Sequence, residues 1–481
     1  LITALAGMTF QSQYANGLTQ EATGFSNDAL LYDLQSAAIT RVTGATSTTY
    51  RYTALFGRLN YNFLDKYILN VSMRRDGSNR FGPGKRFGTF TAAGAAWIFS
   101  NEPFVKNDLS FMSFGKLRAS YGTTGNDGIG SYRYVPTYSS NLNPYQGIKG
   151  LNPNNLGNPE FAWELTRKLE FGMDLGFLKD RILVNASYYR NHTGNQLLGY
   201  ILPEITGFNQ VTSNLPAKIQ NSGLEISLNS IQIKNKDFSW STGFNFTRSR
   251  NKLLAFPNFI GSGYESQLVI GQSLYIQKLF HVKQVDPETG MFLFADKDGN
   301  DVSFPNFETD RIVNIDPSPG FYGGIQNNFS YKGFSFGFNV QFVKQLGKNY
   351  LWNLSGSMPG TGGGNFGNQP ATVLSRWQKQ GDVSDVQLFT QNYSAFLPYL
   401  AALTSDITYS DASFVRLKNL SLSYSLPLRW SDNIGFKNLR IYMHGQNLFT
   451  ITNFKGMDPE NQSFNSLPPL KVYTIGLHFE L

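Results

Sequence analysis

Phe334-Ser335-Phe336-Gly337-Phe338-Asn339-Val340-Gln341-Phe342 sets a bulky apolar side chain at every second residue, with serine, glycine and amides between them. Side chains alternate across a strand, so this period of two describes a strand with one apolar and one polar face. The preceding Tyr331-Lys332-Gly333 leaves room only for a tight link to an earlier strand. Outward from there the pattern recurs. Phe238, Trp240, Thr242, Phe244 and Phe246 oppose Ser239, Ser241, Gly243, Asn245 and Thr247. Tyr67, Leu69, Val71 and Met73 oppose Asn70, Ser72 and Arg74, and Leu117, Ala119 and Tyr121 oppose Lys116, Arg118 and Ser120. At the C-terminal end Tyr473, Ile475, Leu477, Phe479 and Leu481 oppose Thr474, Gly476, His478 and Glu480. About fourteen such strands can be counted, each with one greasy side.

Composition agrees with a sheet whose apolar side meets lipid. Of 481 residues only 15% are charged, against about 25% in an ordinary globular protein, while 41% are hydrophobic and 15% aromatic. A disordered chain and a string of small soluble domains are both disfavoured. A mean hydropathy of -0.27 and the lack of any apolar run near the ~20 residues of a spanning helix exclude a helical membrane protein. A membrane β-barrel reconciles these figures, because its strands need apolar residues only at alternate positions and its loops are polar. There is no cysteine, hence no disulfide or thiol chemistry. The net charge of +8 is spread rather than gathered into a basic arm, so nucleic acid is not an expected partner.

Connections sharpen the barrel reading. Tight links at Leu64 to Lys66, Leu178 to Asp180, Lys234 to Asp237 and Tyr331 to Gly333 take turns with long polar segments. The long segments are Ala15 to Tyr50, Thr123 to Trp163, Asn191 to Ile219, Asn251 to Gly320, Leu346 to Ala412 and Phe449 to Leu470. Outer-membrane barrels have short periplasmic turns at one rim and long extracellular loops at the other. A soluble sandwich has no reason to segregate loops by length, and a propeller would show an internal repeat. The expected fold is therefore all-β, a transmembrane antiparallel barrel, with tyrosine and tryptophan forming interfacial girdles.

Local segments carry a family resemblance. Arg75-Asp76-Gly77-Ser78-Asn79-Arg80-Phe81, Lys116 to Asn126, Leu156-Gly157-Asn158-Pro159 with Trp163-Glu164, Phe171-Gly172-Met173-Asp174 and Asn221-Ser222-Gly223-Leu224-Glu225 follow in order. Later come Asp411 to Leu420, then Asn447-Leu448-Phe449-Thr450 and Gly456-Met457-Asp458-Pro459-Glu460. Together they resemble the SusC/RagA family of TonB-dependent outer-membrane transporters. The resemblance implies a 22-stranded barrel, of which residues 1–481 would be the C-terminal part. The N-terminal plug, the TonB-contacting segment and the first strands would lie in a longer polypeptide. It further implies active import of oligosaccharides or peptides across the outer membrane, with a SusD-like surface lipoprotein as lid and a TonB complex as energy source. No cofactor, metal or enzymatic step is expected. A passive porin, a structural or adhesive barrel subunit and an enzyme barrel are the alternatives.

Candidate contacts follow from chemistry. Aromatic faces suit sugar rings and peptide side chains, which makes Trp352, Trp377 and Tyr399 of the loop Leu346 to Ala412 the substrate-contact candidates. Packing within the loop or against the lid is the competing account for each. Arg440 and His444 on one strand, with His478 and Glu480 on the last, fall on polar faces and are the lumen-lining candidates. Thr361 to Gly364 lacks the lysine and serine of a phosphate loop. Asp296, Asp298, Asn300 and Asp301 have the wrong spacing for an EF-hand and read as a β-turn. His192, His281, His444 and His478 are scattered, without metal-ligand spacing.

Overall fold

The computed structural model describes residues 1–140, 145–148, 150–353, 371–390, 392–427, 437–464 and 466–480. Fourteen strands make one sheet in simple chain order. They are β1 (Ile2–Thr23), β2 (Ile39–Phe63), β3 (Tyr67–Ser78), β4 (Phe87–Trp97), β5 (Met112–Asn126), β6 (Glu164–Phe177) and β7 (Ile182–Gly194), followed by β8 (Lys218–Lys234), β9 (Phe238–Ala255), β10 (Phe321–Tyr331), β11 (Phe334–Lys344), β12 (Phe414–Ser425), β13 (Lys437–Thr452) and β14 (Val472–Glu480). Meander order is what short turns dictate, because a two-residue link can join only antiparallel neighbours. At Lys332-Gly333 both residues have positive φ, as the hairpin turn between β10 and β11 requires. No described helix is long and apolar enough to cross a membrane.

Register places the apolar positions on one face. Trp240, Phe329 and Phe336 are aligned across β9, β10 and β11, with ring centroids 5.5 and 5.9 Å apart. Phe244, Ile325 and Val340 share that face. Leu59, Val71 and Ala93 do the same across β2, β3 and β4. Large apolar side chains such as Leu55, Leu69, Met73, Phe336, Leu422 and Ile475 are exposed there, a pattern that water would not tolerate over so wide a surface. The short-turn ends of strands carry aromatic contacts: Phe63 with Tyr67, Phe111 with Phe177, Phe238 with Tyr331, and Phe334 with Tyr424. The single amide within the apolar face of β10, Asn327, accepts hydrogen bonds from Trp240 Nε1 at 2.9 Å and Thr242 Oγ1 at 2.6 Å.

One connection departs from the sequence reading. Ala15 to Tyr50 was expected to be loop, yet β1 and β2 stay paired out to Thr23 and Ile39. Membrane spans need only about ten residues per strand, so hydrophobic alternation stops at the interface. The backbone ladder does not need it and continues through the threonine-rich stretch Thr43 to Thr49.

The chain divides into two compact units. The first comprises Leu1–Trp97, Ala119–Leu169 and Asn191–Ile219. Its aromatic centre is Phe81, fully buried, with Phe161 and Trp163 at 5.8 and 5.0 Å. The second comprises Ile98–Arg118, Glu170–Arg190 and Gln220–Leu481. Here the two longest connections fold on one another around Phe280, Val285, Phe292, Phe294, Tyr399, Ala401 and Ala402. That core is assembled from the three-stranded sheet His281–Val285, Phe292–Ala295 and Asp301–Val302 and the helix Phe396–Leu403.

Candidate functional site

In the first unit the segment Arg75 to Phe81 makes a chain of anchors. Asp76 is buried and pairs with Arg74 Nε at 2.5 Å, while Arg74 Nη2 donates to the Tyr52 hydroxyl at 2.6 Å. Asn79 holds the edge of β2 through its Oδ1, which accepts the Arg51 N–H, and its Nδ2, which donates to the Thr49 carbonyl. Arg80 lies 4.2 Å over the Tyr50 ring, and the Tyr50 hydroxyl donates to Asp127 at 3.0 Å. These contacts explain why a short motif ends β3: Asp76, Asn79 and Arg80 each fix a neighbouring strand or loop.

In the second unit the polar face changes character along the sheet. Arg118 pairs with Glu170 and approaches Asp174 at 3.7 Å, with Lys116 Nζ 3.8 Å from Asp174. Across β9 to β11 the face is uncharged: Ser241 is opposite Asn328, Gly243 opposite Gln326, and Gln326 opposite Asn339. A cavity of about 190 Å³ is lined by Ser241, Gln326 and Asn328 of this face and by Asn229 of β8, together with the charged Asp180 and Arg181 of the turn before β7. The amides and hydroxyls of β9 to β11 present both donors and acceptors without a charge of their own to desolvate.

Among the described residues, the loop-ward end of β12 holds the most deeply buried ion network. Arg416 is 2% exposed. Its guanidinium pairs with Asp458, with Glu460 at 2.5 Å and with Thr450 Oγ1 at 2.8 Å, and Lys418 meets Glu460 at 2.7 Å. Buried charges must be paired to be tolerated, so the segments Asp411 to Leu420 and Gly456 to Glu460 are read together in the fold. Nearby, Lys344 donates to Asp411 at 2.8 Å and holds its carboxyl down at about 2. Burial pushes the neighbouring Tyr409 phenol up to about 12.

The candidates from sequence occupy different surroundings. Tyr399 is buried within the loop core. Trp377 packs on that core and donates through Nε1 to the Pro287 carbonyl at 3.0 Å. Its ring covers Gly290, whose φ of +72° and lack of Cβ allow the approach. The side chain of Trp352 and the segment Thr361 to Phe366 lie outside the described residues. Arg440 and His478 are directly opposite in register, His444 is opposite Thr474, and Glu480 is opposite Lys437. Arg440 Nη2 donates to Ser423 Oγ at 2.8 Å, and the His444 ring lies 5.0 Å from that of Tyr442. All four therefore stand on strands β13 and β14, Arg440, His444 and His478 on a single face with Ser421 and Ser423. Asp296 spends its oxygens on the backbone N–H groups of Asp298 and Asn300 and on the Asn300 amide. These bonds, that of the Asn300 amide foremost, lower its pKa. Among the described residues no cluster of His, Asp and Glu could hold a metal ion.

A family model described as TonB dependent receptor-like, beta-barrel, matches residues 3–448. The chain belongs to this TonB-dependent receptor barrel family. It is 30% identical to TonB-dependent receptor P3 of Formosa agariphila, covering 100% of this chain and 50% of that protein. With TonB-dependent receptor SusC of Bacteroides thetaiotaomicron it shares 29% identity over 88% of this chain and 43% of the relative. Among solved structures, the RagAB peptide transporter superposes with a TM-score of 0.82 at 26% identity, over 99% of this chain and 53% of that one. The chain spans about half the length of these relatives.

As a TonB-dependent receptor of the SusC/RagA type, this is an outer-membrane barrel, and its apolar face is the lipid face. Two features of the receptor escaped sequence reasoning. The Arg416 network joins residues 42 apart, and the sequence hinted at it only by placing two bases, Arg416 and Lys418, in one motif and two acids, Asp458 and Glu460, in the other. The loop core uses apolar residues such as Phe280, Phe292 and Phe294 that stand in otherwise polar stretches, a signal that period counting discards.

Proposed function

We propose that this receptor barrel forms the wall of an importer, energised through TonB, that takes oligosaccharides from a SusD-like surface lipoprotein. The observation that carries the substrate class is the uncharged amide and hydroxyl face of β9 to β11. A neutral sugar exchanges its water hydrogen bonds for those of Asn328, Gln326 and Asn339, and no buried charge is stranded when it leaves. Peptides are the second reading, because the similar RagAB is a peptide transporter. The long loop assembly of the second unit is where a lid would dock, and Arg440, His444, His478 and Glu480 would line the path. Trp377 and Tyr399 would support the substrate surface from within the loops, and Trp352 would meet ligand directly.

The test is uptake of labelled neutral oligosaccharides and of peptides by cells carrying the full-length receptor and its neighbouring lipoprotein, with and without TonB. Oligosaccharide uptake that vanishes without TonB, and falls about tenfold on Asn328→Asp, is the expected result. Uptake indifferent to TonB would make the barrel a passive pore, and peptide uptake alone would replace the substrate class.

A further inference from the structure

A cavity of about 840 Å³ opens at the loop-ward end of the first unit, lined by Phe10, Arg51, Thr53, Arg86 and Phe87 among others. Phe10, Thr53, Gly77 and Phe87 are consecutive partners across β1 to β4 and so stand in one row on the lipid face. Gly77 matters to this row, because a Cβ there would stand 2.5 Å from the Phe87 ring. Arg51 is two residues beyond Thr53 on the same face, and Arg75, opposite Leu55, holds its guanidinium 5.4 Å over the Phe87 ring. Arg51, Arg75 and Arg86 are exposed, and none is paired with a carboxylate among the described residues.

Position gives these charges a meaning. Arg51 lies about twelve residues along β2 from Phe63 at the short-turn end, about 40 Å of strand and about 30 Å of height at the usual tilt. The apolar band of an outer-membrane barrel is about 25 Å tall. Arg51 and Arg86, which line the cavity, therefore stand at the head-group level of the outer leaflet, with Leu55 and Met73 below at acyl-chain depth; Arg75 springs from the level of Leu55, and its guanidinium reaches up to the Phe87 ring. Their frame is held in place: the Thr49 N–H donates to the Tyr132 hydroxyl at 3.0 Å, and the Arg86 carbonyl accepts from the Ser78 N–H and from Trp163 Nε1.

We infer that this cavity is a docking site for a phosphorylated glycolipid of the outer leaflet. Arg51, Arg75 and Arg86 grip its phosphate, and the Phe10 and Phe87 rings cradle an acyl chain. Guanidinium forks match phosphate oxygens, and unneutralised cations above an exposed apolar face are complementary to an anionic lipid. The site rests on the membrane location of the barrel and is independent of what the receptor imports.

The test is native mass spectrometry of the delipidated full-length receptor titrated with phosphorylated lipid A, its dephosphorylated form, a zwitterionic phospholipid and inorganic phosphate. Arg51→Gln and Arg86→Gln should each weaken binding of the phosphorylated glycolipid about fivefold, and the triple variant with Arg75→Gln about a hundredfold. Arg51→Lys should retain most of the binding, and each variant should still run as a folded, heat-modifiable barrel. Equal affinity for the dephosphorylated glycolipid or the phospholipid, or no loss in the triple variant, would overturn the assignment. So would displacement by inorganic phosphate at the same concentration as the lipid, which would mark a free-anion site.

Discussion

Arg416 shows how one side chain binds distant parts of the sequence. It reaches Asp458 and Glu460 from β12 and is buried together with Asp458. Removing one partner of a buried ion pair strands the others, at a cost of about 3 kcal/mol or more. Arg416→Met is expected to lower the unfolding free energy by that amount, seen as a lower denaturant midpoint in micelles when loss of the folded electrophoretic band is followed. Arg416→Lys keeps the charge but loses the fork and should fall between. An unchanged midpoint in Arg416→Met would mean that the acids find other cations. The sequence displayed both motifs without displaying their contact. One motif carries the bases and the other the acids, but which strand edge carries which loop depends on register, and register is a property of pairs.

At the scale of elements, strands were legible and loops were not. Alternation located β3, β5, β9, β11 and β14 because burial on one face is written along each strand. It stopped short of the outer halves of β1 and β2, where neither face is buried and only the backbone ladder persists. In the loop assembly the short strands Leu346–Lys348 and Tyr409–Asp411 pair beside the Lys344 to Asp411 contact. The Lys344 hydrogen bond depresses the Asp411 carboxyl from its usual 3.8 to about 2. A depressed carboxyl contributes fully above its unfolded pKa, and the contribution is lost as pH falls through the folded value. The contact should therefore hold above about pH 5 and be lost between about pH 4 and pH 2. Pepsin cleavage within residues 346–412 is the measure, compared at each pH with Asp411→Asn. Wild-type cleavage should approach that of the variant as pH falls to 2, and a constant ratio from pH 5 to pH 2 would contradict the assignment.

For the whole molecule, the alternation of faces makes a claim about lipid. Trp240 stands on the lipid face against Phe329, whereas Trp163 packs with Phe81 and Phe90 and Trp377 with the loop core. Single-tryptophan receptors reconstituted with brominated lipid should show strong quenching of Trp240 and at least about threefold less for Trp163 and Trp377. Equal quenching at all three would mean that the faces are wrongly assigned.

Strand number, the two faces, the segregation of short and long connections and the family were already present in the linear order of residues. Each is a local periodic property or a run of motifs, which chain order preserves. The burial of Arg416, the loop core around Phe280 and Phe294, and the gathering of Arg51, Arg75 and Arg86 beside Phe10 and Phe87 came from folding alone. Those groups unite residues tens of positions apart, and their meeting is set by strand register and loop packing. No composition or period along the chain records either.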